Sequence, residues 1–352
     1  MSIKKDLKRE GIEPIYELDK SITIPIIKNI SHKLVTAFPN FYLDEDSIIT
    51  KLLKLNMYKA KMREGMAEAS YFHKNTSIYF NEHIADEDLE EFAIHECLHY
   101  FQEVKQGNKL IRMGLTGTGL NEAAVQYISA KLIGITPDIE MYYGITMRTP
   151  SPSYYPLECA LLNQLIYFTG EEIMCKSTLF SNDDFKNLLI KQTSPKIYKT
   201  IESGFNTILK LEEKIIKLNN KISLLDDGDS KFTDLTQELN TYKDNISDTF
   251  IKVQNLITEN MFNYEFNNIS NLEDLDIFRR RLDKFKNLIG ITNDYVFFEN
   301  YYIETMNKLE HKSNVLENGG IETAISNKHK FNIFIKIKNI LFKSKDIKDT
   351  HV

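Results

Sequence analysis

The chain contains few cysteines and no long apolar segment. Its three cysteines, Cys97, Cys159 and Cys175, make an odd count without CxxC spacing, which indicates a reducing compartment. Nowhere do about 18 apolar residues follow one another, so the sequence predicts no membrane-spanning helix. The charged N-terminal residues are followed by no apolar stretch of the kind that a secretory signal needs. From these absences we expect a cytoplasmic protein.

An excess of positive charge is absent as well. The net charge is −6 at pH 7 and the isoelectric point is near 5.8, which argues against a surface with general affinity for nucleic acid. We therefore expect no nucleic-acid partner. The 352 residues are 42% hydrophobic and 27% charged, as in ordinary soluble globular proteins, and the length suggests two or three units.

The most informative segment is 95–99, which reads HECLH and fits the pattern HExxH. In an α-helix, residues four apart lie on the same face, so His95 and His99 can both direct a ring nitrogen to one metal ion. Glu96 would lie beside that ion, where its carboxylate can accept a proton from water and return it to a leaving amine. Composition alone would produce the motif in about one chain in 100, so the flanking residues are needed to judge whether it is a metal site.

The flanking residues place this motif within a helix. Asp88 and Glu91 fit a capping box at the N-terminus, and Gly107 supplies a stop. Between them an apolar stripe at helical spacing is formed by Ile94, Cys97, Leu98, Phe101 and Val104. We therefore expect a helix from about Asp88 to Gly107, with the two histidines away from its core face.

A catalytic zinc site takes three protein ligands and leaves a fourth position for water. Residues 120–127 read LNEAAVQY, a composition that suits a second helix with Glu122 in its first turn. An HExxH motif followed by a helical Asn-Glu-Ala resembles the gluzincins, the thermolysin-like metallopeptidases. The resemblance covers residues 95 to about 126, and it implies that Glu122 is the third ligand of one Zn²⁺ per chain.

The resemblance also implies residues around the metal. The family often has an aspartate four residues after the glutamate ligand, where it orients a histidine; Gln126 stands there in this chain. An amide can accept the same hydrogen bond but lacks the charge. Asn121, in the Asn-Glu-Ala opening, is a further candidate for this outer layer. In the resembled fold an edge strand before the HExxH helix binds substrate backbone by strand addition. Segment 77–81 is the candidate, unless it is an ordinary core strand, and its central residues are Ile78, Tyr79 and Phe80.

The predicted fold class is α+β, with a zincin-like metallopeptidase domain over residues 1–200. Residues 57–62, 69–73 and 77–81 indicate a small antiparallel sheet. Helical spacing occurs at residues 26–37, 46–55, 157–168 and 183–191. Residues 142–156 are rich in tyrosine and proline and are interpreted as a loop. This loop could bring Tyr155 or Arg148 to the oxyanion of a tetrahedral intermediate, or it could simply pack on the core.

The pattern changes after about residue 200. Residues 208–225 place apolar side chains at alternating steps of three and four, as in a coiled coil, and the pattern resumes over residues 232–253. We expect an antiparallel helical hairpin joined by a third helix at 275–289, which makes residues 201–325 a hairpin or bundle region. This region is either structural or binds a protein partner.

The last segment, residues 326–352, is basic and amphipathic. It contains seven lysines and two aspartates, a net charge of +5 within a chain of net −6, and its stretch 331–342 is strongly apolar. This stretch is too short to span a membrane. It would lie on an anionic membrane surface, dock on the acidic body or bind an anionic partner.

Two functions are compatible with these patterns. The first is a zinc peptidase, a hydrolase that acts on a peptide or protein substrate through a water activated by Glu96. The second is a catalytically degenerate metallopeptidase-like scaffold whose helical region mediates protein–protein interaction. The intact Glu96 argues for the enzyme, and Gln126 in place of an aspartate keeps the scaffold open.

Overall fold

The computed structural model describes residues 3–63, 68–107, 109–113, 115, 117–225, 230–289 and 295–317. The architecture is α+β, and helices predominate. Among the described residues, no helix is both long enough and apolar enough to cross a membrane. The basic segment 326–352 lies outside the described residues, so its predicted membrane or body contacts remain predictions.

The first part of the chain forms a four-stranded sheet with helices beside it. Its helices are α1 (Ile3–Glu10), α2 (Lys20–Ala37) and α3 (Glu45–Leu52). Its strands are β1 (Ile12–Glu17), β2 (Asn56–Met62), β3 (Ala69–Phe72) and β4 (Ser77–Asn81). The spatial order is β1-β2-β4-β3. The apolar side of α2, with Ile26, Ile27, Ile30 and Leu34 all buried, packs into the main core.

The prediction of a purely antiparallel sheet is wrong. Strands β3 and β4 form an antiparallel hairpin. Strand β3 occupies one side of β4, so β2 pairs with the other side, and this pairing is parallel. Strand β1 pairs antiparallel with β2 at the opposite edge, with a register shift between Pro14 and Tyr16. A proline and a bulge are tolerated there because an edge strand need not donate every backbone N–H.

The helix that carries the HExxH motif is shorter than predicted. A 3₁₀ turn, Asp86–Asp88, leads into α4 (Leu89–Phe101), and the side chain of Asp88 makes no capping hydrogen bond, so the capping box is not formed. After α4 the chain forms a hairpin of β5 (Glu103–Gln106) and β6 (Lys109–Met113). Val104 is therefore an exposed strand residue, and Gly107, with φ of +60°, lies between these two strands.

The second predicted helix is α5 (Thr118–Ile133). It is followed by a hairpin of β7 (Asp138–Tyr142) and β8 (Ile145–Thr149), so the predicted loop at 142–156 is partly a strand. Three helices come next, α6 (Pro156–Thr169), α7 (Glu171–Phe180) and α8 (Asp184–Gln192). Tyr143 and Gly144, both at positive φ, form the tight turn that makes this hairpin possible.

The predicted helical hairpin is confirmed in α9 (Pro195–Ile222) and α10 (Ser230–Asn267). Two further helices follow, α11 (Leu272–Ile289) and α12 (Tyr295–Glu317), and the second of these was not predicted. Helices α9 and α10 approach closely at Gly204, where an added Cβ would lie 2.2 Å from Cγ2 of Val253.

Three hydrophobic cores stabilise these elements, and the smallest of them joins Leu7 of α1 to the sheet residues Ile12, Ala60, Phe72 and Tyr79. The main core runs from Leu18 to Met261 and includes residues of α9 and α10, so it continues across the division predicted near residue 200. The second core is rich in aromatic residues and joins the end of α10, from Phe262, to α11 and α12. The division of the chain into domains remains a prediction, but α9 and α10 pack as part of the same core as the motif helix.

Candidate metal centre

Two neighbouring helices bring the three predicted ligands together. Helix α4 carries His95 and His99, and α5 carries Glu122 in its first turns. His95 Nε2 lies 3.0 Å from His99 Nε2 and 3.2 Å from Glu122 Oε2, and His99 Nε2 lies 3.3 Å from the same oxygen. One ligand atom from each residue lies within 4.8 Å of the other two, so the group could hold a metal ion.

The packing of the two helices explains this convergence. On α4 the residues at helical spacing from Leu89 to Leu98 are buried, which fixes the rotation of the helix and turns the histidines toward α5. Helix α5 presents buried small residues, Ala123 and Ala124, on its side of the core. Small side chains let helix axes approach closely, so that short imidazole and carboxylate groups can meet between them.

The distances fit a tetrahedral ion. Ligands that bind Zn²⁺ at about 2.0 to 2.1 Å in a tetrahedron lie about 3.3 Å from one another. The three separations here, 3.0, 3.2 and 3.3 Å, describe a triangle of nearly that size. Two imidazole nitrogens and one carboxylate oxygen are also the donor set of open catalytic zinc sites. The residues present therefore fit the ion that the sequence predicts.

The electrostatics of the group favour a cation at its centre. Burial alone would lower the pKa of His99, but the Glu122 carboxylate beside it raises that pKa to about 9. Burial alone would raise the pKa of Glu122. The charges and hydrogen bonds of His99 and His95 outweigh burial and hold this pKa well below the usual range. A proton or a metal ion at this place is thus stabilised by the same carboxylate.

Gln126 takes the orienting position that the sequence analysis predicts. Its Oε1 lies 2.9 Å from His95 Nδ1, and its Nε2 lies 2.9 Å from the hydroxyl of Ser151. When Nδ1 donates to the amide oxygen, the other ring nitrogen, Nε2, is free to bind a metal through its lone pair. A neutral acceptor orients the ring without the additional negative charge of a carboxylate.

Glu96 lies next to the ligands and is held by the sheet. Its Oε2 accepts a hydrogen bond of 2.6 Å from the backbone N–H of Tyr71 in β3, and only 8% of the residue is exposed. Since β3 is the last strand of the four-stranded sheet, this backbone group comes from a sheet edge. Of its two carboxylate oxygens, one is thereby positioned by the backbone, and Oε1 is left for other partners.

The predicted substrate edge strand is wrong. Segment 77–81 is β4, which pairs with β2 on one side and β3 on the other, so it has no free edge for a substrate backbone. Its central residues are buried in the cores, with exposed fractions of 0%, 2% and 0% for Ile78, Tyr79 and Phe80. The alternative interpretation, a core strand, is the correct one, and the edge nearest to Glu96 belongs to β3.

The remaining candidates differ in position. The ring of Tyr155 stacks against that of His95 with centroids 6.0 Å apart, and burial together with Glu122 and Glu96 raises its pKa well above the usual range. Arg148 lies in β8 opposite Ile139, and within the described part of the chain no hydrogen bond joins it to a ligand residue. Asn121 is 94% buried in the first turns of α5, and its side chain contacts none of the three ligands by a hydrogen bond between described residues.

The sequence analysis missed a pair of carboxyl groups close to this centre. Glu158 in α6 is fully buried, and burial raises its pKa well above the usual range, with Glu212 of α9 raising it further. Burial also raises the pKa of Glu212, to about 7. No lysine or arginine is among the main influences on either pKa in the described chain. The two groups are therefore best accommodated when Glu158 keeps its proton, because two neighbouring buried carboxylates would repel each other.

Comparison with known proteins identifies no relative. No family model matches the chain, and no curated protein and no solved structure matches it. The function must therefore be argued from the geometry of the site.

Proposed function

We propose that this protein is a zinc-dependent peptidase that hydrolyses bonds in a peptide or protein substrate. The observation that carries the proposal is the triangle formed by His95, His99 and Glu122, with the Glu96 carboxylate beside it. The donor set and its spacing match a catalytic zinc site, and a glutamate directly after the first histidine provides the general base that such a site uses.

His95, His99 and Glu122 would hold the zinc ion through Nε2, Nε2 and Oε2. A bound zinc supplies Lewis-acid chemistry, which polarises a peptide carbonyl and lowers the pKa of water. Glu96 accepts the proton of the attacking water and delivers it to the nitrogen of the leaving amine. The Tyr71 N–H fixes the orientation of this carboxylate, since it holds one of its two oxygens at 2.6 Å.

Tyr155 is the candidate for stabilising the tetrahedral intermediate. Its raised pKa keeps the phenol protonated at neutral pH, and a protonated phenol can donate a hydrogen bond to a developing oxyanion. Its ring lies against that of His95, which places the side chain beside the ligand group. The edge of β3, whose Tyr71 N–H already reaches the site, is where an extended substrate would be close to Glu96.

The test is a cleavage assay on a peptide library with zinc-loaded protein. We expect Glu96→Gln to retain zinc but to lose about 10²-fold or more of the activity, because the amide cannot accept the water's proton. Glu91→Gln makes the same chemical change at an exposed position of α4 and should leave the activity unchanged. A fully active Glu96→Gln variant would show that the proposed mechanism is wrong.

The alternative function is a non-catalytic scaffold that binds a protein through α9 to α12. The observation that favours it is the neutral Gln126 at the position where a charged residue would increase the basicity of His95. The same assay separates the two functions. Zinc-loaded wild-type protein that cleaves no member of a broad library would favour the scaffold.

A further inference from the structure

The hydroxyl group of Ser151 has two strong hydrogen-bond partners, and the Cys159 thiol near it is only a weak acceptor. The serine hydroxyl lies 2.7 Å from the backbone oxygen of Tyr154 and 2.9 Å from Nε2 of Gln126. A carbonyl oxygen can only accept, so the single hydroxyl proton of Ser151 is donated to Tyr154. Toward Gln126 the same oxygen can then only accept, and an amide nitrogen is the group that donates.

The direction of these hydrogen bonds also determines how Gln126 binds His95. With its nitrogen facing Ser151, Gln126 presents its carbonyl oxygen to His95 Nδ1 at 2.9 Å. An oxygen acceptor requires a proton on Nδ1, and a neutral imidazole that is protonated on Nδ1 carries its lone pair on Nε2. His95 Nε2 is the atom that faces His99 and Glu122. The proton order of this network therefore prepares His95 to bind a metal.

The amide of Gln126 could not fix this order alone. If it turned by 180°, its NH₂ group would face His95 and would favour the tautomer with the proton on Nε2, which cannot bind a metal through that atom. Ser151 is 0% exposed and Gln126 is 5% exposed, so water does not readily replace a lost partner. The flipped amide would leave its oxygen opposite a hydroxyl that has no proton to donate, and such a mismatch between buried groups is unfavourable.

The position of Ser151 is itself constrained. Its backbone N–H donates to the Thr149 hydroxyl at 3.3 Å, and Thr149, the last residue of β8, is fully buried. The serine thus lies at a fixed point between the β7–β8 hairpin and the first turn of α6. A rigidly placed hydroxyl is what a neutral amide needs to keep one orientation.

We propose that Ser151 is a positioning residue of the metal centre: it holds the amide of Gln126 in the orientation that selects the metal-binding tautomer of His95. This inference rests on the proposed metal site. A carboxylate at position 126 would not need the serine, because both of its oxygens accept. Ser151 is therefore the residue that allows a glutamine to act where the resembled family often has an aspartate.

The experiment measures zinc affinity by competition with a chromophoric chelator at pH 7.5. Ser151→Ala should weaken zinc binding about 10-fold or more, the range found for lost outer-layer partners of metal ligands. Ser153→Ala, the same change at an exposed position of the same loop, should bind zinc as the wild type does. Gln126→Glu should make the serine dispensable, so that adding Ser151→Ala to Gln126→Glu changes the affinity by less than about 2-fold.

The comparison in the Gln126→Glu background separates positioning from packing. An equal loss of affinity on removal of the Ser151 hydroxyl in both backgrounds would show that the serine merely fills space, and unchanged affinity of Ser151→Ala would also overturn the proposal. Either result with a wild type that binds one zinc ion leaves the proposed metal site intact. A wild-type protein that binds no zinc would instead overturn the metal site, and the role of Ser151 with it.

Discussion

We expect the protein to lose stability as the pH rises from 5 to 8, because folding raises the pKa values of Glu158 and Glu212. The pKa of Glu212 is raised in the folded state from 4.5 to about 7, chiefly by burial. A carboxyl group whose pKa is raised by folding stabilises the folded state fully below its unfolded pKa, and this contribution is lost as the pH rises through the folded pKa. The loss that comes from Glu212 should therefore fall between about pH 4.5 and pH 7, and the higher pKa of Glu158 adds a loss that continues above this range.

The size of the loss follows from the shift. One pKa unit corresponds to about 1.4 kcal/mol, so the shift of Glu212 corresponds to at most about 3 kcal/mol between pH 5 and pH 8. Because Glu212 is partly accessible to water, we expect about 2 kcal/mol in practice. Glu212→Gln keeps the shape of the side chain and removes its titration, so the part of the pH dependence that comes from Glu212 should disappear, and the part that comes from Glu158 should remain.

The assay is urea unfolding of the metal-free protein, followed by circular dichroism at pH 5 and pH 8. Relative to the wild type, Glu212→Gln should gain about 2 kcal/mol more at pH 8 than at pH 5. Glu213→Gln is the control, because Glu213 is the next residue of α9, is exposed and makes only a surface ion pair with Lys217. Titration of His99 is common to all three proteins and cancels in the comparison. If the difference in unfolding free energy between Glu212→Gln and wild type were the same at both pH values, Glu212 would not have a raised pKa in the folded protein.

Three further predictions follow from the fold and the site. Glu122→Ala should reduce zinc binding from one ion per chain to well below one, measured by elemental analysis after dialysis, because two imidazoles alone leave the site one ligand short; full affinity in the variant would show that Glu122 is not the third ligand. Gly119→Ala should lower the free energy of unfolding by about 1 to 3 kcal/mol, since an added Cβ would lie 2.6 Å from the backbone of Phe205 in α9; a thermal midpoint equal to that of the wild type would contradict this. Truncation before Ser326 should leave turnover of small peptides nearly unchanged and reduce flotation with anionic vesicles, in a salt-dependent manner, because the removed segment carries a net charge of +5; equal flotation of the two forms would refute the membrane interaction.

Local patterns were sufficient for most of the helices. The spacing of apolar residues predicted α2, α3, α6, α8, α9, α10 and α11 to within a few residues at most ends. Strand β1 was missed because its residues are mostly exposed and include Pro14, so neither alternation nor β propensity marks it. The extension of α4 to Gly107 was wrong because Val104 continued an apolar spacing that the chain in fact uses in a strand. A single residue at the right interval cannot distinguish the two periods.

The residues of the candidate site also include some that a local sequence pattern identifies and others that only the packing of separate elements brings together. His95, Glu96 and His99 lie in one helical turn, so their relation is visible in the sequence, whereas Glu122 was identified through a family resemblance and is joined to them only by the packing of α4 on α5. Ser151 and Glu212 could not be found, because their contacts with Gln126 and Glu158 depend on how separate elements pack. The backbone N–H of Tyr71 carries no side-chain signal at all.

The carboxyl groups around the candidate site explain why a neutral residue suits position 126. Glu96, Glu122, Glu158 and Glu212 all influence the pKa of Tyr155, so four carboxyl groups surround this small region of the protein. Each additional buried carboxylate would raise the cost of ionising the others unless a cation compensated it. An aspartate at position 126 would add a fifth, whereas an amide orients His95 without charge. The orientation of this amide then depends on the hydroxyl of Ser151, which keeps the amide oxygen facing His95.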